Sequence, residues 1–466
     1  MIQTLIPPHP WRPLRDASHP ASEPPQRSIQ YPLPRIGDQK LLVLLVDFPD
    51  PDRGGLFSGQ AWQHFFFGPG GFSDYYQEVS YDQLRYTGDI VGMSGHSYVI
   101  NDSRVAYLRL PYSVRYYANN EAGQGYNSPY NTSGVVLHAV QALDAAGFDF
   151  APYANARTQL IDNMIVVFAG LSAREVGTTY ADTLMPTAYS LLQPYVTRGG
   201  QAIRDFTFCP ERHGAKMATI GVSIHEHGHA LGMCDLYDQS LRTIGVGRYD
   251  VMGYGIEPDG FTHPVHFGAF SKAFLGWIRF PAELQQGVAI INLPPAEALR
   301  PVPGSQSGRF IKLYPHGNLE SPEYFLLENR QPLGFDSDWV RLGLSPGLII
   351  WHVDERIVGD GDYQHCNVIN TPFSTRADSC FTSRHKQVPS HHGVKVVEAD
   401  GYNNMVSEAQ KDYGTSADTW VEGRTWRGVL RNGHDSGLTV SVLRQHGAPD
   451  DQSVDLRIEG WFQLAT

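Results

Sequence analysis

The chain has 466 residues, enough to bury a large core, and either two packed units or one elaborated domain fits that length. Its formal charge of −12 argues against nucleic acid or an anionic membrane surface as a partner. No apolar run approaches the roughly 20 residues that span a bilayer, so no membrane-spanning helix is expected.

Met1 to Pro8 lacks the basic start and long apolar segment of a secretory leader. Residues 7 to 34 are proline-rich without apolar periodicity, so 1–38 reads as an extended arm. A first folded domain is expected over 39–282. Leu41 to Val46 is continuously apolar, the mark of a strand covered on both faces, and Asp47-Phe48-Pro49-Asp50 ends it. Ser73 to Asp89 reads as a helix followed by a strand, Gly134 to Ala146 as an amphipathic helix, and Leu160 to Gly170 as another buried strand. This alternation predicts an α/β domain with a mixed sheet. Asp47, Asp50 and Asp52 offer oxygen ligands for Ca2+, with ordinary turn aspartates as the alternative. The stretch from Gly170 to Lys216 is irregular, as segments lining a cleft are.

Next comes His225-Glu226-His227-Gly228-His229, preceded by apolar residues at helical spacing from Met217 to Ile224. On a helix His225 and His229 are one turn apart on the same face, so both imidazoles reach one zinc ion while Glu226 stands beside it as a general base. Gly232 suits the left-handed backbone that ends a helix and turns the chain back, bringing Asp235 round as third ligand. A zinc held by three side chains keeps a water whose pKa falls toward about 7. His227 points away from the pair and reads as a supporting or surface residue. Tyr249-Asp250-Val251-Met252-Gly253-Tyr254 follows.

After Trp277 helical periodicity gives way to short alternating strands, among them Val288 to Leu293, Tyr324 to Asn329, Gly347 to Asp354 and Leu438 to Val442. Residues 283–466 therefore read as a β-rich, sandwich-like domain. His352, Asp354 and Glu355 sit together, but a structural hydrogen bond is the simpler use of His352. Four cysteines permit two disulfides, Cys209 with Cys234 and Cys366 with Cys380, against four buried thiols.

The run from His225 to Asp238, then Asp250-Val-Met-Gly253, then His266 to Trp277 is similar to the immune inhibitor A family of secreted metallopeptidases, and the Met252 turn resembles that of the metzincin clan. Ser73 to Asp89, Glu328-Asn-Arg330, Trp351 to Asp354 and Glu398 to Gly401 extend the likeness over about 40–445. The resemblance implies a metzincin-like fold for 39–282, zinc on His225, His229 and Asp235, and Glu226 as general base. It also implies an edge strand, here Thr183 to Leu192, along which a peptide lies. Tyr254 resembles the tyrosine that some metzincins place near the metal for the oxyanion, with a packed aromatic as the alternative. Relatives carry an acidic, glycine-containing loop suited to calcium before their last strand. Ala151 to Leu160 departs from it, having too few oxygen ligands for a hard cation. The expected protein is a secreted zinc endopeptidase acting on proteins or peptides. A catalytically silent zinc-stabilised adhesion module and a zinc hydrolase of non-peptide substrates are the rivals.

Overall fold

The computed structural model describes residues 33–125, 127–173, 180–256, 263–298, 309–358, 369–370, 392–448 and 451–465. Among the described residues the chain is β-rich, with two sheets and few helices. It forms two compact units, Met1–Gln77 with Gln83–Gly232, and Glu78–Asp82 with Met233–Thr466.

In chain order, the first sheet and its helices are β1 (Gly37–Asp47), α1 (Gly59–Phe67), α2 (Phe72–Val79), β2 (Leu84–Ser94), β3 (Ser97–Ile100), β4 (Leu108–Arg109), α3 (Val114–Ala118), α4 (Thr132–Ala145), β5 (Leu160–Ile161), β6 (Met164–Leu171), β7 (Thr187–Val196), β8 (Ala202–His213), β9 (Lys216–Met217) and α5 (Ile220–Ala230). Parallel β2 and β6 flank β1, and β8 lies parallel to β6. β3 and β7 run antiparallel to their neighbours β2 and β8, which makes the sheet mixed. The apolar run Leu41 to Val46 is at most 1% exposed, as a strand covered on both faces must be. α4 is capped by Asn131, whose side chain accepts from Gly134 N, and its Val136, Val140 and Leu143 join Leu42, Leu44 and Val166 in one core.

The second unit contains α6 (Ala269–Leu275), β10 (Gln285–Leu293), β11 (Phe310–Leu313), β12 (Glu323–Arg330), β13 (Gly347–Asp354), α7 (Glu355–Val358), β14 (Val394–Val396), β15 (Thr425–Val429), β16 (Asp435–Gln445) and β17 (Val454–Leu464). These strands form a single antiparallel sheet in the order β14-β13-β12-β11-β17-β16-β15, with β10 also on β17. Among the described residues the expected sandwich of two facing sheets is not formed. One sheet curls onto itself, so that Phe325 of β12 meets Trp426 of β15 at 4.7 Å between ring centroids although their strands are not neighbours. The curl lets the sheet enclose its own core of Leu327, Ile350, Val440 and Ile458.

Beside this core lies a buried ionic network. Arg330 donates to Asp336 at 2.8 and 2.5 Å, faces Glu297 at 3.1 Å and Glu328 at 3.4 Å, and sits over the Trp339 ring. Lys272 Nζ reaches the Tyr81 hydroxyl at 2.9 Å and His266 Nδ1 at 3.2 Å, while His266 Nε2 meets Glu78 at 2.7 Å. Burial pushes the Lys272 pKa down to about 8 and holds that of Glu297 well above the usual carboxylate range. Burial also acts to raise Asp336, but Arg330 outweighs it and keeps that carboxyl low.

Cys209 and Cys234 are buried thiols, and the disulfide expected between them is not made. Cys209 lies inside β8 opposite Val167 of β6, and burial pushes its thiol pKa up. Cys366 and Cys380 lie outside the described residues, as does all of the arm before Leu33.

Candidate metal centre

α5 exists because its inward face is apolar and its roll is fixed by the one histidine that faces away from the expected metal. His227 is fully buried, with Nε2 2.8 Å from the Tyr86 hydroxyl and Nδ1 3.3 Å from Thr207 Oγ1. The rings of Phe72, Tyr76 and Tyr86 stand edge-on around it at 5.2 to 5.6 Å. Burial pushes its pKa down to about 3, so the imidazole is neutral. Tyr76 completes the cradle by donating its hydroxyl to Ile224 O at 2.9 Å.

The carboxyl end of α5 is tied by the chain that leads into β1. Leu33 N donates to Ala230 O at 2.9 Å, and Arg35 Nε to Leu231 O at 2.8 Å, so two of the orphan carbonyls that end a helix are satisfied. Gly232 follows with φ of 99°, the positive region that glycine tolerates best.

His225 and His229 face one another with ring centroids 4.8 Å apart, almost perpendicular. Ligand atoms of His225, His229 and Asp235 all lie within 4.8 Å of one another. Two imidazole nitrogens and one carboxylate oxygen, drawn from eleven consecutive residues, are a donor set that suits zinc. Asp235 is 2% exposed, and its Oδ2 accepts from Gln239 Nε2 at 2.8 Å, a hydrogen bond that holds the carboxylate's orientation. Glu226, directly after His225, is 7% exposed.

The turn at Met252 is built around Asp250. This carboxylate accepts from Met252 N, Gly268 N and the Ser271 hydroxyl at 2.6 to 2.7 Å, and burial pushes its pKa up to about 6 against those bonds. Leu236, next to Asp235, donates its N–H to Met252 O at 2.8 Å, so the turn and the aspartate loop share a backbone contact. Tyr254 is half-buried and packs on Tyr237 and Tyr413 at 5.8 and 4.7 Å.

The other sites weighed from sequence fall out differently. Asp47 is held by Arg109 through two bonds of 2.7 and 2.8 Å, and Asp50 accepts from Val114 N. Among the described residues Asp47, Asp50 and Asp52 form no metal-sized group. His352 bonds Glu323 at 2.8 Å, and Asp354 is taken by Arg356. Sequence reasoning missed the His227 cradle, whose signal was the aromatic run Phe72 to Tyr86. It also missed that Glu398, Asp400 and Asp418 converge within 4.8 Å. Burial raises Glu398 to about 7 and Asp418 to about 6, although backbone N–H groups of Asn404, Met405 and Thr415 bond them.

The chain is 25% identical to a pre-pro-metalloprotease PrtV of Vibrio cholerae serotype O1 over 280 residues, 51% of this chain and 29% of that protein. It is 23% identical to Immune inhibitor A of Bacillus thuringiensis subsp. alesti over 286 residues, 51% of this chain and 40% of that protein. The chain is a distant relative of metalloproteases. It spans less than half the length of these curated relatives. No family model matches it.

Proposed function

We propose that the chain is a secreted, zinc-dependent endopeptidase of metzincin-like α/β fold, with 39–282 as its catalytic region. The observation that carries this reading is the grouping of His225, His229 and Asp235 within 4.8 Å, one turn of helix and one glycine turn apart. In this reading those three side chains hold the ion. Bound zinc supplies Lewis acidity, which lowers the pKa of water and polarises a carbonyl.

The chain's own residues do the rest. The Glu226 carboxylate accepts the proton of the attacking water and passes it to the departing amine nitrogen. His227, locked between Tyr86 and Thr207, keeps α5 from rolling, so His225 and His229 stay aimed at one point. Gln239 orients Asp235. The Tyr254 hydroxyl, carried on the Met252 turn, donates to the developing oxyanion. Among the described residues β7 pairs with β8 alone, and α5 packs against both strands. A peptide laid along β7 gains main-chain hydrogen bonds beside the helix.

The test is metal content and casein cleavage on wild type and Glu226→Gln side by side. One zinc per chain in both, with cleavage in wild type and a loss of at least about a thousandfold in the variant, is the expected result. Zinc in both without cleavage by either overturns the peptidase reading in favour of a silent binding module.

A further inference from the structure

On the outward face of the second unit's sheet is a cavity of about 460 Å3 lined entirely by β10, β15, β16 and β17, a size within the range of small-ligand sites. Its floor follows from strand register. Val288 stands opposite Glu459, Glu459 opposite Thr439, and Thr439 opposite Arg427, so these side chains share one face. Their chain neighbours Ala289, Ile458, Val440 and Trp426 point the other way, into the core. Trp461, two residues beyond Glu459, returns to the outward face and is half-buried. The indole rests on Gly317, where an added Cβ would lie 2.7 Å from its Nε1, and the same indole lines the cavity. Gly287 and Gly460, directly opposite one another with φ of 123° and 132°, leave the floor beside it without side chains.

The charges around this indole balance. Arg427, Asp435 and Glu459 line the cavity, and Glu459 pairs with Arg457. Two cations and two carboxylates give no net field to attract an ionic ligand. β17 is paired along Val454 to Glu459 by β10 on one side and β16 on the other, so its main chain offers no edge for an added peptide strand. What remains is a half-buried indole ringed by donors and acceptors. A pyranose matches this: its C–H bonds, weakly positive, stack on the negative face of the indole, and its hydroxyls donate to carboxylates and accept from a guanidinium.

We propose that this cavity binds a neutral polysaccharide, with Trp461 as the stacking platform and Arg427, Asp435 and Glu459 as hydroxyl partners. The site is independent of the peptidase reading. Native gel electrophoresis of the full chain through gels containing hydroxyethylcellulose, xylan or glycol chitin tests it. At least one polymer retards wild type, and Trp461→Ala weakens that retardation at least tenfold while casein cleavage stays at the wild-type rate. Because Trp461 also packs on Gly317, the exposed Arg427→Ala serves as a second variant and weakens retardation severalfold. Free migration of wild type in all three gels, or retardation of both variants equal to wild type, overturns the proposal.

Discussion

The cradle of His227 and the network of Arg330 bury polar groups equally deeply, yet they do so by opposite means. In the first unit a neutral imidazole fills a box of rings and makes two hydrogen bonds. In the second a guanidinium is held among three carboxylates. A neutral group satisfied by hydrogen bonds is a packing element with modest net polar gain, about 1 kcal/mol per bond. A buried charge is different, because each partner is tolerable only while the other is present. Shape therefore dominates around α5, and charge matching dominates beside the second sheet.

The hardest blow to that contrast is Arg330→Met. It strands Glu297, Glu328 and Asp336 in the interior, and the expected loss is roughly 3–5 kcal/mol, read by urea unfolding. A loss below about 1 kcal/mol would make the network dispensable and erase the difference between the two regions. His227→Ala comes next, at about 2–4 kcal/mol, from a cavity among Phe72, Tyr76 and Tyr86. His227→Phe refills the space and leaves the Tyr86 and Thr207 hydroxyls without that partner, so it should recover part of that loss by the same assay. If it recovers nothing, hydrogen bonding rather than shape governs the cradle.

A gentler probe is pH. Glu398 is raised to about 7 in the folded chain, so its contribution to stability is present at low pH and is lost as pH rises through that value. Asp250 and Asp418, each raised to about 6, act in the same direction. Buried His227 and His352, held low, act in the opposite direction in both proteins, so the test is the difference: Glu398→Gln should gain melting temperature relative to wild type as pH rises from 5 to 8, read by calorimetry. The smallest effect is expected at the exposed pair of Arg242 and Glu408, where Arg242→Ala should cost less than about 1 kcal/mol.

Much of the first sheet was legible because its signal is strong and local. Leu41 to Val46, Leu160 to Gly170 and Gly134 to Ala146 emerge as β1, β5 with β6, and α4 to within a few residues. β8 was not legible. Asp205, Pro210 and Glu211 lie inside a strand flanked by β6 and β7, against every propensity for an interior strand. Tertiary contacts override that preference: Glu211, fully buried, accepts from Leu56 N, the Tyr107 hydroxyl and Gly170 N. The curl of the second sheet was hidden for a similar reason, since alternation marks a buried face without saying what covers it. At the candidate centre, the spacing of His225, His229 and Asp235 was visible in one short stretch. The box around His227 needed residues 141 positions apart, which no local pattern relates.

β17 has one more consequence, for the order of events as the chain is made. It is bonded to β10, β11 and β16, strands that precede it by up to about 170 residues. None of those three can complete its pairing until Val454 to Leu464 has cleared the ribosome. The first sheet, whose strands all lie before residue 218, can form while the rest is still being synthesised. The second sheet must instead wait, with Ile311, Leu327 and Val440 unburied, for its keystone to arrive. Chaperone demand during synthesis should thus fall on the second half of the chain, and most heavily just before its last strand appears.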